Sequence, residues 1–256
     1  NAGDGEIKTI SAKPYSEIEQ EIIFKTPFGE STSDVYWEFN EIENGTEVTW
    51  GMKGKQSFME KLAFTFQEKS ITEMMRPKFQ TGLNNMESVV LNKMDKYTIN
   101  VDGVIQHGGG YYMYTTTASK ISQVDEKMAS MFSEVSTYMD ENGIEKSGNP
   151  FVLYNEWNEN SGNVIFSAGI FTPSEVITPA ASEILTGFLP NQKVLKTTLK
   201  GDYKNLKEAW DTAYNYIEAN DLEIAEDTKN FEVHLTSPEN VANPAKWITH
   251  LYIPVK

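Results

Sequence analysis

LKGDYKNLKEAWDTAYNYIEAND, residues 199–221, is the stretch that decides the fold of the second half of the chain. A β-rich run near 191–200 leads into a glycine turn, and a helix with one apolar stripe follows. The stripe consists of Leu206, Ala209, Trp210, Ala213, Tyr214 and Ile217. Two more strands are predicted near 230–236 and 247–255, so the order of elements is βαββ.

The same order is predicted once more upstream. Its first strand lies near 98–106, and a turn containing HGGGYY and a second amphipathic helix follow. The helix stripe consists of Val124, Met128, Met131, Phe132, Val135, Tyr138 and Met139. Strands near 151–157 and 163–172 complete this copy, at an offset of about 81 residues. An internal repeat predicts a pseudo-twofold domain, with two sheets or one shared sheet and a ligand groove between the halves.

The N-terminal part has a different pattern. Residues 1–57 alternate as strands, and Asn44-Gly45 between two β-rich runs predicts a hairpin. From Phe58 to about Met94 the apolar period becomes helical, with a kink or break expected near Pro77. We therefore predict an α+β chain. Antiparallel strands and a long closing helix form residues 1–94, and tandem βαββ repeats form residues 97–256.

The composition excludes several classes of partner. The formal net charge is −15 and Arg76 is the sole arginine, whereas nucleic-acid binding relies on positive charge and bidentate arginine contacts. We expect no nucleic-acid partner and no membrane contact by this segment, since anionic membrane surfaces would repel it. No apolar run approaches the roughly 20 residues of a membrane helix. Without cysteine there are no disulfides, and no third ligand accompanies His234 and His250, so no metal site and no cofactor are expected.

Residues 97–256 resemble the GyrI-like family, the effector-binding domain of bacterial multidrug-responsive transcription activators. The resemblance is carried by residues 199–221, by NFEVHLTSP at 230–238 and by WITHLYIPV at 247–255. It implies tandem βαββ repeats and an aromatic cleft between them, with an acidic residue facing bulky, often cationic ligands. Glu232 matches the family strand, whereas His250 stands where many members have an acid.

Residues before the repeats resemble the later part of an SRPBCC domain, the START-like helix-grip fold of polyketide cyclase type. The matching stretches are GTEVTWGMKG at 45–54 and FQTGLNNMESVV at 79–90. The resemblance implies the later strands and the closing helix of that fold. The earlier elements would be supplied upstream of Asn1 or by a partner chain. We expect a cytoplasmic protein, or one that is anchored through a segment upstream of Asn1.

Alternation along the last strands selects candidate binding residues. In NFEVHL, Glu232 and His234 share one face, and the apolar residues on the other face are expected to meet helix and core. In WITHLYIPV, His250 and Tyr252 share a face. We expect these polar and aromatic faces to meet across the groove. The complete set of candidates is Glu232, His250, Tyr252, His234, Tyr154, Trp157, Tyr112 and Phe188. Trp210 and Trp247 lie on apolar stripes and are expected in the core.

Three functions fit these residues. The first is a stand-alone sensor or sequestering module, without a DNA-binding domain, for hydrophobic ligands that include cations. The second is a hydrolase of reactive hydrophobic small molecules, with Glu232 as general base or charge stabiliser. The third is an interaction module that meets another protein through its acidic surface. We favour a binding protein over an enzyme, with a small-molecule ligand as its partner.

Overall fold

The computed structural model describes residues 5–26, 29–43, 45–54, 71–236, 238 and 240–256. The chain divides into two compact units, Asn1–Leu91 and Asn92–Lys256. Both contain antiparallel sheet and helix, so the predicted α+β class is confirmed. None of the described helices has the length and apolarity needed to cross a membrane.

The first unit contains a four-stranded antiparallel meander. Its strands are β1 Gly5–Lys13, β2 Glu17–Thr26, β3 Gly29–Ile42 and β4 Gly45–Gly54, in that spatial order. Ile42 pairs with Gly45, which confirms the hairpin predicted from Asn44-Gly45, although Asn44 itself lies outside the described residues. The indole rings of Trp37 and Trp50 stack on this sheet with centroids 4.4 Å apart.

Helix α1, Ile71–Met94, follows the meander. The start predicted at Phe58 lies outside the described residues, and the helix is continuous through Pro77, where a kink or break was expected. The side chain of Phe79 packs edge-on against Trp50, with centroids 4.6 Å apart. A Cβ atom at Gly82 would lie 2.3 Å from the Trp50 ring, so glycine permits this close approach. The assignment of this unit to the SRPBCC fold stays a prediction.

The second unit is built on one eight-stranded antiparallel sheet. Its order is β5-β10-β12-β11-β7-β8-β6-β9. The strands are β5 Thr98–His107, β6 Gly110–Lys120, β7 Pro150–Asn158, β8 Asn163–Thr172, β9 Leu185–Leu189, β10 Gln192–Lys200, β11 Phe231–His234 and β12 Ile248–Pro254. Helix α2 is Val124–Glu141 and helix α3 is Leu206–Ala219. The two βαββ repeats meet where β11 pairs with β7, so the halves share one sheet.

The outer strands are paired differently from the predicted first copy of the repeat. The strand expected near 98–106 exists as β5, but it pairs with β10 of the other repeat, and β6 begins the first copy instead. Likewise β9 precedes β10 in the chain but pairs with β6. The two crossing connections lie so close that a Cβ atom at Gly109 would be 2.1 Å from the carbonyl oxygen of Leu189. Gly109 also has a φ of +70°, which glycine adopts without strain.

Both faces of the shared sheet carry buried side chains at its centre. On one face, α2 packs on Val152 and Phe166, and α3 packs on Leu195 and Ile253. The opposite face carries an apolar cluster that neither helix covers. The apolar residues of β11 belong to this cluster, so the expectation that they face the helices is wrong. The cluster consists of Tyr112, Phe151, Leu153, Leu189, Val194, Phe231, Val233 and Tyr252. Alternation separates the two faces of a strand, but it does not say which one the helices cover when both are buried.

Candidate ligand-binding site

Glu232 lies at the centre of the helix-covered face. Because β11 is antiparallel to both of its neighbours, Glu232 stands beside Val152 of β7 and Leu251 of β12 on that face. Helix α2 packs mainly on β6 and β8, and α3 packs mainly on β5, β10 and β12. The central strands β7 and β11 therefore lie between the two helices, and Glu232 is only 1% exposed there.

The two oxygens of the Glu232 carboxylate differ in their contacts. Oε1 accepts a hydrogen bond of 2.6 Å from the hydroxyl of Tyr154. Within the described part of the chain, Oε2 is buried and has no hydrogen-bond partner. The indole N–H of Trp210 on α3 lies near enough to favour the charged form, but it makes no hydrogen bond of standard geometry to Oε2. An unpaired buried acceptor is costly unless something fills the position.

Burial dominates the protonation of Glu232. It raises the pKa of this carboxyl group from 4.5 to about 7, with a smaller increase from the charge of Asp125. The Tyr154 and Trp210 donors oppose the rise because they favour the carboxylate. The residue therefore changes charge near neutral pH.

His234 extends the same polar row toward the end of β11. It is 5% exposed, and its Nε2 lies 3.8 Å from Glu232 Oε1, too far for a hydrogen bond. The rings of Phe132 on α2 and Tyr203 meet the imidazole edge-on, at centroid distances of 5.8 and 5.2 Å. Burial lowers the pKa of His234 to about 4, so the ring is neutral at pH 7 and does not form an ion pair with Glu232.

Two further carboxylates influence this site. Asp125 lies in the first turn of α2, and burial, followed by the charge of Asp202, raises its pKa. Burial and then the charges of Glu232, Asp125 and Asp202 raise the pKa of Tyr203 to about 12. The ammonium of Lys204 points away to an exposed ion pair with Asp95 at 2.7 Å. The local field therefore favours a positively charged occupant.

Aromatic rings pack around the two residues nearest the carboxylate, Tyr154 and Trp210, and around His234. Trp210 packs edge-on against Tyr154 with centroids 5.8 Å apart, and Trp157 packs edge-on against the same ring at 5.5 Å. The ring of Tyr203 packs against the indole of Trp247 in a tilted arrangement, with centroids 4.8 Å apart. Such faces attract cations and stack on flat rings.

The described residues of this site do not form a metal centre. Among the residues that the structure describes, no three His, Asp or Glu side chains are grouped to hold a metal ion. A cavity of about 600 Å³ lies elsewhere, between the outer side of α2 and residues 182–184, and Glu232 is not among its lining residues. Because Glu232 is almost fully buried, binding at its carboxylate requires the neighbouring half-buried rings to move.

A family model described as the GyrI-like small molecule binding domain matches residues 111–256. The chain belongs to the GyrI-like family. The match begins in β6 and includes both helices and every residue of the site around Glu232. No curated protein matches the sequence.

Solved structures show the same fold. A cryo-EM structure of an EcmrR–DNA complex superposes with a TM-score of 0.54 at 15% identity, covering 77% of this chain and 76% of that one. The crystal structure of the EcmrR C-terminal domain gives 0.50 at 16% identity, covering 62% and 98%. SAV2435 bound to tetraphenylphosphonium gives 0.41 at 15% identity, covering 63% and 94%. Of these three, the two EcmrR structures are the ones that show the fold of this chain.

In this GyrI-like domain, three of the candidates predicted from sequence lie together. They are Glu232, His234 and Tyr154, and Trp157 flanks them with 47% of its surface exposed. Strand alternation places Glu232 and His234 on one face of β11. The register of β11 with β7, in which Glu232 lies opposite Val152, brings Tyr154 to the same face.

The expectation that β12 brings its polar face to this site is wrong. Register places Phe231 opposite Tyr252 and Val233 opposite His250, so the side chains of Tyr252 and His250 lie on the face away from Glu232. The remaining two candidates also lie elsewhere. Tyr112 belongs to the apolar cluster of the opposite face, and Phe188 lies on edge strand β9, 57% exposed against Tyr111.

Four residues of the site were not among the predicted candidates. They are Trp210, Tyr203, Phe132 and Asp125. Trp210 was assigned to the core because it continues the stripe of α3, and its half-buried ring does pack there as well. The equivalent helix starts of the two repeats could have singled out Asp125 and Tyr203, which lie in the first turn of α2 and in the turn before α3.

Proposed function

We propose that this protein binds hydrophobic organic cations between α2 and α3, with the Glu232 carboxylate as counter-charge. One observation carries the proposal. Glu232 is buried beneath aromatic rings, yet Oε2 has no hydrogen-bond partner among the described residues. A bound cation supplies the missing partner and offsets the cost of keeping the carboxylate ionised away from water.

The surroundings of Glu232 support a cation over an anion. Asp125 and Asp202 add negative charge near the helix starts. The faces of Trp210 and Tyr203 supply cation–π attraction of roughly 0.5–2 kcal/mol each. An anionic ligand would meet three carboxylates, and none of the described residues places a compensating cation at the centre of the site.

The same features suit a stand-alone sensor or sequestering protein. A sensor or sequestering protein needs a site that accepts bulky organic cations, and the overall charge of −15 attracts them from solution. The binding unit is Asn92–Lys256, and we assign no ligand to the N-terminal unit.

Charge selectivity tests this proposal. Naphthylmethylammonium and naphthaleneacetate have the same ring system and opposite charges. Isothermal titration calorimetry at pH 8 should show the ammonium binding tighter by on the order of 100-fold, because it pairs with a desolvated carboxylate. Glu156→Gln, an exposed change on β7, is the matched control and should leave both affinities unchanged. Equal binding of the two probes, or preference for the acetate, would rule out the cation site.

A hydrolase is the second candidate, and the pKa of Glu232 near 7 favours it. A general base works best when its pKa lies near the working pH. Turnover of an aromatic epoxide should be compared between wild type and Glu232→Gln. Loss of turnover with retained binding of the epoxide would support catalysis. Equal, negligible turnover by both proteins would exclude it.

A further inference from the structure

The polar residues of β11 and its neighbour β12 include several buried atoms without hydrogen-bond partners among the described residues. Pairing a ligand's charge with Glu232 would satisfy only one of them. Besides Oε2 of Glu232, the Nε2 atom of His234 is buried without a hydrogen-bond partner among the described residues. Thr249 faces His234 directly across the β11–β12 pair, and its Oγ1 is likewise buried and unpartnered within the described ranges. The three atoms belong to adjacent positions on one face of the sheet.

We infer that the site selects protonated primary or secondary amines over quaternary cations of the same size and charge. This inference rests on the proposed function and specifies its ligand class. An ammonium group with two or more N–H donors can bridge Glu232 and His234, because His234 Nε2 lies 3.8 Å from Oε1 of the carboxylate whose other oxygen, Oε2, is unpartnered among the described residues. A quaternary ammonium has no N–H and leaves both acceptors unpaired.

His234 can act as an acceptor in this arrangement. A neutral imidazole has one N–H and one bare nitrogen, and Nε2 accepts when Nδ1 carries the proton. Burial lowers the pKa of His234, so the ring remains neutral at pH 7. A neutral ring also avoids repulsion of a cationic head group, which a protonated imidazole would exert.

The side chains around His234 leave it few other partners. Phe132 and Tyr203 present ring edges to the imidazole, and the hydroxyl of Tyr203 already donates to the carbonyl oxygen of Thr236 at 3.1 Å. The Tyr154 hydroxyl is likewise committed to Glu232. The free acceptor positions therefore remain for a ligand or for water.

The test compares naphthylmethylammonium with its N,N,N-trimethyl derivative at pH 8. Both carry one positive charge on the same ring system. By calorimetry the primary amine should bind about tenfold or more tightly, since an unmet buried acceptor costs at least a factor of that order. His234→Phe should reduce this preference to about twofold or less. His250→Phe, a half-buried change on the opposite face, should preserve it.

A second measurement does not depend on the variants folding. In wild type, nitrogen NMR of the three histidine rings should show a shift of His234 Nε2 with the primary amine and none with the trimethyl derivative. Equal affinity for the two cations, or tighter binding of the trimethyl derivative, would overturn the inference and leave the cation site standing. Failure of both cations to bind would overturn the proposed function, and the inference with it.

Discussion

Replacing Glu232 with glutamine is expected to stabilise the ligand-free protein by roughly 3 kcal/mol above pH 7. Burial raises the pKa of this carboxyl group from 4.5 to about 7. Above pH 7 the carboxyl is ionised in both states, but only the folded protein holds that charge away from water. Glutamine removes this cost and can still accept the hydrogen bond from Tyr154.

Urea unfolding at pH 8, followed by circular dichroism, measures the effect. Glu156→Gln is the control, because an exposed substitution should change the free energy of unfolding by less than about 0.5 kcal/mol. The same Glu232→Gln protein should bind naphthylmethylammonium at least about 30-fold more weakly than wild type. A Glu232→Gln protein that is less stable than wild type would contradict this description of the site.

Replacing His234 with phenylalanine is expected to stabilise the protein at low pH instead. Burial lowers the pKa of His234 from 6.5 to about 4. Between pH 6.5 and 4 the imidazole is therefore protonated in the unfolded chain but stays neutral in the folded protein. The stability contributed by the neutral ring is complete above pH 6.5 and is lost as pH falls towards 4. His234→Phe has no titrating ring and does not lose this stability. The difference in unfolding free energy between the variant and wild type should therefore be roughly 3 kcal/mol more favourable to the variant at pH 4 than at pH 8.

Glu232 acts on stability in the opposite direction. Its buried carboxyl imposes no cost below pH 4.5, and the cost grows as pH rises to 7. Between pH 4.5 and 6.5 the slopes from Glu232 and His234 therefore oppose each other in wild type. Asp125, Asp202, Tyr154 and Tyr203 are present in every protein compared, so their contributions cancel to first order.

Differences in unfolding free energy between each variant and wild type, taken from pH 4 to pH 8, separate the two groups. The Glu232→Gln difference should grow with pH, and the His234→Phe difference should shrink with pH. Parallel curves for the two variants would show that the buried pair does not titrate as described. His250→Phe is the control for loss of a partly buried ring and should show a much smaller pH dependence.

The repeat and most elements of the second unit could be predicted from the sequence. The helix stripes around Met131 and Ala213 have the period of amphipathic helices, and those helices are present as α2 and α3. The helical period could not predict that β5 pairs with β10 of the second repeat and β9 with β6 of the first. Strand partners are set by long-range pairing, and nothing local in Thr98–His107 distinguishes β10 from β6 as its neighbour.

Part of the site could also be predicted. Alternation in NFEVHL places Glu232 and His234 on one face, and that placement is confirmed. The orientation of His250 was wrong because it depends on the register between β11 and β12, which one sequence does not specify when both faces are apolar. Trp210 and Tyr203 were not selected because helix packing, not strand alternation, brings them to Glu232.

The affinity of naphthylmethylammonium as a function of pH tests the role of Glu232 most directly. The probe stays charged from pH 5 to 8, so any change reports the protein. If the ionised Glu232 carboxylate is the counter-charge, the association constant should rise about tenfold per pH unit up to pH 7 and then level off. Glu232→Gln should bind weakly and without this rise. A wild-type affinity that does not change with pH, or a rise that persists in Glu232→Gln, would contradict a cation site built on Glu232.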